Sequence, residues 1–463
     1  MPSPYGQPPA FAVRVPEPMP LEKLGFWLLI FLVVAFFSRF LDTTIPHVHL
    51  PGIAQGLALA IVVVTGAFMR GAKSKIALCM VLLTLWILAG VPTSYWRSGS
   101  MDLIIHSWMK VLLDFFTVSC LIVTVKQVRQ IMFALGIGAA IGSVMLSISS
   151  RTTGGRLVAE AGTFANSNEI AISLLIGLPC LWLMMADSRA GRFRKAVVFG
   201  VIVIVLSILL KTGSREGLIT LSVLGAAMFL HASMAGKVKL LAVAGLTAAL
   251  FVTLLPPILK LRYLTMFSSK ISVQSDQEAT MAESAAGSTA NRLSLLKNAA
   301  SVTLNHPLFG VGLGNFAPYS VKEANDAGFR GDWHGTHNTY LEFFSETGIP
   351  GGLLYIAALV LAFKETNAVY RRARRLKSIA GQDLANMAFA WRCSLLAFAV
   401  VSFFAHIGYD LKVGLILAVS TTLGWSGGFE AARIEGMERE ATLQPVLSPL
   451  PSMARFRDAA VNR

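Results

Sequence analysis

The sequence predicts an all-α polytopic membrane protein of about twelve transmembrane helices with one large outer loop. Three observations predict it. Of the 463 residues, 54% are hydrophobic. Only 14% are charged, where a soluble domain carries about a quarter. Mean hydropathy is +0.63, and the apolar residues gather in long runs. A helix needs about 20 apolar residues, roughly 17 to 25, to cross the hydrocarbon. Such runs fall near 24–41, 52–69, 76–94, 103–125, 131–149, 168–187, 196–210, 217–234, 238–257, 348–363, 384–406 and 413–429. The runs 196–210 and 217–234 are short and flank the polar KTGSREG.

The first twenty residues, MPSPYGQPPAFAVRVPEPMP, are proline-rich and lack a basic-then-apolar signal pattern. No small-residue cleavage site follows, so the first apolar run reads as a retained span. The organisation expected is an N-terminal segment 1–23, nine spans over 24–257, an outer loop 258–347, three spans over 348–429 and a tail 430–463.

The net charge of +15 does not require nucleic acid, because lysine and arginine in a polytopic protein collect in loops on the cytoplasmic side. With a cytoplasmic N-terminus, the inner loops hold Arg70, Lys73 and Lys75; Lys126 and Arg129; Arg189, Arg192, Arg194 and Lys195; Lys237 and Lys239; and Arg371, Arg372, Arg374, Arg375 and Lys377. Every even-numbered exit is basic, so both termini are expected in the cytoplasm. Cys79, Cys120, Cys180 and Cys393 fall inside apolar runs without ligand spacing and read as packing residues.

The outer loop 258–347 contains SSKISVQSDQEATMAESAAGSTA, small and polar, which reads as a mobile flap over 268–290. NRLSLLKNAASVTLNHP follows with apolar residues at helical spacing and stops at Pro307, predicting one helix on the membrane surface. The loop ends in WHGTHNTYLEFFSETGIPGG, Trp333 to Gly352, where the glycine-proline cluster predicts a break at the membrane boundary. A lone histidine there would suit an interfacial anchor, but His337 stands beside His334, Asn338, Tyr340, Glu342 and Glu346.

Both His334 and His337 are types that ligate metal, yet no DxD or HExxH occurs in the chain. Asp42 is the one outer carboxylate considered as a divalent-metal ligand. No metal or other cofactor is expected. Arginine offers another means of meeting phosphate, because its planar fork matches phosphate oxygens and stays charged. LLKTGSREGLITL sets Lys211 and Arg215 in a tight turn between two helices, and Arg292 opens the loop helix. Arg215 could instead pair with Glu216 or Glu169, and Arg292 could be a solvated surface charge. Two arginines from separate segments suit a pyrophosphate.

Four patches resemble the O-antigen ligase and O-antigen polymerase family of bacterial envelope glycosyltransferases. They are GTFANSNEIA (Gly162 to Ala171), TGSREGL (Thr212 to Leu218), NRLSLLKNAASVTLNHPLFGVGLGNF (Asn291 to Phe316) and HGTHNTYLEFFSETGIPGG (His334 to Gly352). With the spans between them, the likeness covers roughly residues 150 to 430. The chain departs at Ser167, where relatives often carry proline, and at Glu216, where they carry a small residue.

The resemblance implies transfer of a glycan from undecaprenyl pyrophosphate on the periplasmic face of the bacterial inner membrane. The implied fold is like that of the metal-independent GT-C-like membrane glycosyltransferases. It implies His337 as the catalytic residue, with the arginines matching Arg215 and Arg292 engaging the lipid pyrophosphate. An imidazole with an ordinary pKa of about 6.5 can accept a proton from the attacking hydroxyl, and direct displacement inverts the anomeric centre. Arg151, Arg156 and Lys211 are further candidate phosphate contacts. Asn338, Tyr340 and Glu342 are candidates to orient the imidazole or touch sugar.

The ligase reading, with lipid A-core as acceptor, is preferred because the chain ends soon after the last span and carries no extra domain suited to holding a protein. The partners expected are the lipid-linked donor, lipid A-core and membrane lipids, without nucleic acid, for a monomer or weak homo-oligomer. An O-antigen polymerase or a protein oligosaccharyltransferase would share donor and chemistry. A twelve-span transporter or flippase would instead predict related halves and ionisable residues near the midplane. Lys110, Asp114 and Arg392 are the main charges inside spans, while the chemistry gathers at one face. A passive scaffold would leave the outer arginines unexplained.

Overall fold

The structure, a computed structural model, describes residues 18–41, 50–153, 155–159, 164, 166–264, 276–328, 330 and 333–447. The chain is an all-α polytopic membrane protein. Among the described residues, nine helices are long and apolar enough to cross a membrane. They are α1 (Pro20–Ser38), α3 (Lys75–Gly90, extended by a 3-10 turn to Thr93), α4 (Arg97–Leu121), α5 (Val125–Ser149), α6 (Ser167–Ala186), α7 (Arg192–Lys211), α9 (Met234–Leu254), α13 (Thr339–Ala373) and α14 (Ile379–Val401). Between and after them lie α2 (Leu50–Val64, 15 residues) and α8 (Arg215–His231, 17 residues), and α15 (Leu411–Leu447) carries the final apolar run. Nine helices thus meet the length and hydropathy that twelve apolar runs were expected to supply.

The helix starts are written locally. Ser74, Thr124, Ser214, Ser233, Asn338 and Ser378 each accept a hydrogen bond from a main-chain N–H of the first turn. These caps satisfy donors that have no partner within the helix. Burial then separates central helices from peripheral ones. α13 packs against α3, α14 and α15, and α6 against α5, α7 and α14. α9 buries none of its window residues and flanks α7 and α8.

Outside the spans, α10 (Pro257–Leu264) leads towards the surface helix α11 (Asp276–Asn305) and the short α12 (Phe316–Asp326). α11 ends two residues before Pro307, as expected. It begins earlier than expected, so residues 276–290 of the segment read as a flap are helical, and 268–275 lie outside the described residues. A two-stranded hairpin, β1 (Arg151–Thr153) and β2 (Arg156–Val158), is the one departure from all-α structure among the described residues.

The expected break in α13 falls at Gly348, with φ 70° and ψ −178°. Such a kink frees main-chain groups that lipid cannot satisfy. Here protein satisfies them. Val311 N–H donates to Ser345 O (3.0 Å), Gly312 N–H to Glu346 O (3.0 Å) and Trp86 Nε1–H to Thr347 O (3.0 Å), while Ile349 N–H donates to Pro307 O (2.8 Å). A Cβ at Gly348 would stand 2.2 Å from Leu308 O, so the position demands glycine for both its backbone and its space. The loop 307–316 is therefore clasped to the head of α13, and the same end of the bundle holds His337.

Candidate active site

Two clusters meet at that end. The first is built on the turn between α7 and α8. Arg156 of β2 donates from Nε to Thr212 O (2.9 Å) and from Nη2 to Asn168 Oδ1 (2.6 Å). Arg262 of α10 donates from Nε to Gly213 O (2.9 Å), and the Tyr263 hydroxyl donates to Leu210 O (2.9 Å). These bonds occupy carbonyls left over at the end of α7, where cations are favoured by the helix dipole. Gly213 permits them. Its φ is +61°, and a Cβ there would meet Leu259 Cδ2 at 2.9 Å and the stems of Arg156 and Arg262 at 3.3 Å.

Arg215, half-buried at the first position of α8, feels the charges of Arg262, Arg292 and Glu216. Arg292 of α11 closes the group: its Nη1 lies 3.4 Å from Glu216 Oε2. Glu216 is 2% exposed, and its second oxygen, Oε1, finds no hydrogen bond among the described residues. Four guanidiniums thus surround one carboxylate, an excess of positive charge in a partly desolvated place. Burial first, then Arg156 and Arg292, pulls Arg262 down to about 10. That remains far enough above neutral pH for the group to stay charged.

The second cluster is a pair of histidines. His337 precedes the cap residue of α13 and takes φ 50°. Among the described residues only Arg39 shares that left-handed conformation without being glycine, and such strain persists where the surroundings enforce it. The enforcement is visible. Thr336 Oγ1 donates to Asn338 O (2.9 Å), Thr339 N–H donates to Ser402 O (2.8 Å), and Thr339 Oγ1 donates to Ala405 O (2.7 Å). The imidazole faces His406 edge to face, with ring centroids 5.0 Å apart. Burial lowers its pKa to about 4, aided by the charges of His406, Arg292 and His334. His337 is therefore neutral at physiological pH, and the charge of Arg292 reaches it.

The other residues singled out in the sequence are placed as follows. Asn338 caps α13, accepting from Leu341 N–H (3.0 Å), and donates to Phe403 O (3.2 Å). The Tyr340 hydroxyl donates to Ala399 O (2.9 Å), and Glu342 accepts from Gly408 N–H (3.3 Å). All three spend polar atoms on the main chain of 399–408, so they support the loop facing His337. Arg151 is exposed on β1, and Lys211 ends α7 beside the arginine-bound turn. Asp42 lies outside the described residues. No three His, Cys, Asp or Glu side chains converge as a metal site among the described residues.

Two neighbours, His406 and Lys412, were not foreseen. His406 lies at the end of an apolar run and carries no motif. Lys412, 1% exposed, sits 2.7 Å from Asp410 Oδ2 and 3.3 Å from Glu169 Oε2. Glu169 in turn acts electrostatically on His406. Glu346 accepts from Gly314 N–H (2.7 Å), Phe316 N–H (3.2 Å) and the Tyr409 hydroxyl. One turn apart on α13, Glu342 and Glu346 tie the loops 307–316 and 402–410 to the helix that carries His337.

Residues 200–356 match the family described as O-antigen ligase, a stretch running from within α7 past the kink of α13. It includes Arg215, Arg292 and His337. No curated protein matches the chain.

Proposed function

We propose that this chain, a multi-pass membrane protein and a member of the O-antigen ligase family through residues 200–356, is an inverting ligase that transfers a glycan from undecaprenyl pyrophosphate to lipid A-core. The reaction takes place on the periplasmic face of the inner membrane, with both termini in the cytoplasm and with a GT-C-like arrangement of helices. The observation that carries the reading is the position of Arg292, which pairs with Glu216 in the arginine cluster and also acts on His337.

The neutral His337 imidazole takes the proton of the acceptor sugar hydroxyl as its oxygen bonds to the donor's anomeric carbon. The bond from that carbon to the pyrophosphate oxygen breaks, and negative charge accumulates on the leaving group. Arg215 and Arg292 stabilise this charge, with Arg156 and Arg262 contributing to the field. Attack and departure on opposite faces invert the anomeric configuration. The work is done by fixed cations, so no metal is needed. An apolar cavity of about 1040 Å³ between α6, α7, α8 and α9 reaches Leu210 and Leu218 beside the turn, offering a path for the donor's prenyl chain.

The test is transfer by purified protein from a lipid-linked glycan to lipid A-core, run beside a second lipid-linked repeat unit as acceptor. Product on lipid A-core alone supports the ligase. Elongation of the lipid-linked unit alone would make the chain a polymerase, and glycan appearing on neither acceptor would overturn both.

A further inference from the structure

At the end of α13 away from His337 lies a pocket that the proposed transfer does not use. His231, Asn367, Tyr370, Arg371, Arg374, Arg375 and Arg392 line it, around a volume of about 470 Å³. Asn367, Arg371 and Arg374 follow one another at the four- and three-residue steps that share a helix face, and Arg375 follows just past the helix end. Arg392 reaches in from the middle of α14, its guanidinium carbon 4.6 Å from the Tyr370 ring centroid. A charge inside a spanning helix is costly and is kept where it serves a site or reaches the interface.

Three neighbouring arginines at this end are matched. Arg372 pairs with Glu435 at 3.0 Å, Arg194 with Asp187 at 3.2 Å, and Arg129 lies near both Asp187 and Asp383. Arg371, Arg374, Arg375 and Arg392 make no ion pair among the described residues, and no carboxylate lines the pocket. Arg371 and Arg375 also line an adjoining cleft with Glu435 and Glu438, whereas inside this pocket the four arginines face no carboxylate.

The pocket continues into the apolar cavity of α6 to α9, since His231 and Tyr370 line both. Beyond them the walls are apolar, including Trp182, Leu221, Met228, Leu240 and Phe389. A phosphate-binding mouth opening onto an apolar channel has the form of a lipid site. We propose that an anionic glycerophospholipid binds here, its phosphate held by Arg371, Arg374, Arg375 and Arg392 and one acyl chain entering the His231 end of the cavity past Tyr370, opposite the Leu210 and Leu218 end offered to the donor's prenyl chain. Basic pockets between spanning helices on the cytoplasmic side recognise anionic headgroups in this way, and a zwitterionic headgroup with the same phosphodiester would bring its choline cation against the arginines.

The full chain purified in a non-ionic detergent tests this by native mass spectrometry and thermal unfolding, with phosphatidylglycerol, phosphatidylcholine and inorganic phosphate as separate probes. The expected result is retention of phosphatidylglycerol with a raised unfolding midpoint, and neither effect from the other two. Arg371→Gln with Arg374→Gln should weaken retention about tenfold or more, the factor set by losing one charge-assisted hydrogen bond. Arg372→Gln, at the ion-paired neighbour, should leave it unchanged. Should the double variant fold poorly, Arg392→Lys keeps the charge, loses the planar fork and should lower retention by itself. Equal retention of phosphatidylcholine, an equal shift from inorganic phosphate alone, or undiminished retention in the variants overturns the proposal.

Discussion

Arg292 Nη1 lies 3.4 Å from Glu216 Oε2 across 76 residues of sequence, and the charge of the same arginine bears on both His337 and His406. One side chain on the surface helix α11 thereby couples the arginine-bound turn to the histidine pair. In the proposed transfer, the charge that attracts the leaving group also keeps the base deprotonated, and in doing so makes it a weaker proton acceptor.

The first prediction concerns pH. His337 is lowered to about 4 by burial, His406, Arg292 and His334. A base must be neutral, so kcat/KM should hold at neutral pH and fall as pH drops through that value. Removing a positive neighbour raises the pKa. In Arg292→Gln the acid limb should therefore move to higher pH, towards the ordinary histidine value of about 6.5, whatever happens to the maximal rate. A limb that stays put or moves down would show that Arg292 does not act on the titrating base.

Glu216 is the carboxylate inside the arginine cluster, with one oxygen near Arg292 and the other lacking a hydrogen bond among the described residues. Burial pushes Glu216 up to about 7 against the pull of Arg292 and Arg156, so in an assay above that pH Glu216→Gln keeps the shape and deletes the negative charge. Inorganic pyrophosphate should then inhibit transfer more tightly, by a factor of about ten if the change equals one charge-assisted contact. Weaker inhibition would mean that Glu216 chiefly holds Arg292 in place, and Glu216→Ala would then weaken it further.

Nine of the twelve expected spans and the break at Gly348 were legible because lipid imposes a simple rule: apolar runs of fixed length, interrupted where glycine and proline permit. The start of α11 was not. Small polar residues over 276–290 resemble flexible chain by composition, yet alanine, glutamate and methionine there favour helix. Within the candidate site, residue type drew attention to His337, Arg215 and Arg292, and the family resemblance implied their roles. Asn338, Tyr340 and Glu342 were grouped with His337 by adjacency, but successive helical residues point in different directions, and these three turn to 399–408. His406 and Lys412 escaped notice at the edges of apolar runs, where only the packing of 402–412 against α6 and α13 reveals their neighbours.

Metal dependence separates this chemistry from transferases that neutralise pyrophosphate with a divalent ion. Four arginines already stand at the turn. Transfer should therefore proceed at an unchanged rate after dialysis against a chelator. A loss of activity restored by magnesium or manganese would place a metal in the reaction and reduce the arginines to a supporting field.

The last prediction isolates the turn itself. Gly213 holds φ +61° beneath the stems of Arg156 and Arg262, and Leu259 would stand 2.9 Å from an added Cβ. Gly213→Ala should cost about 1–2 kcal/mol for the backbone and about 1–3 kcal/mol for the forced contact. The stems of Arg156 and Arg262, 3.3 Å from that Cβ, must also give by a few tenths of an ångström, which loosens their bonds to Thr212 O and Gly213 O, so transfer should fall together with the unfolding midpoint. Gly200→Ala, in mid-helix with nothing within 4 Å of its Cβ, supplies the control and should be neutral or slightly stabilising. If Gly213→Ala lowered the midpoint while leaving the inhibition constant for pyrophosphate untouched, the turn would be a structural corner, and the grip of Arg156 and Arg262 on its carbonyls would have no bearing on the donor.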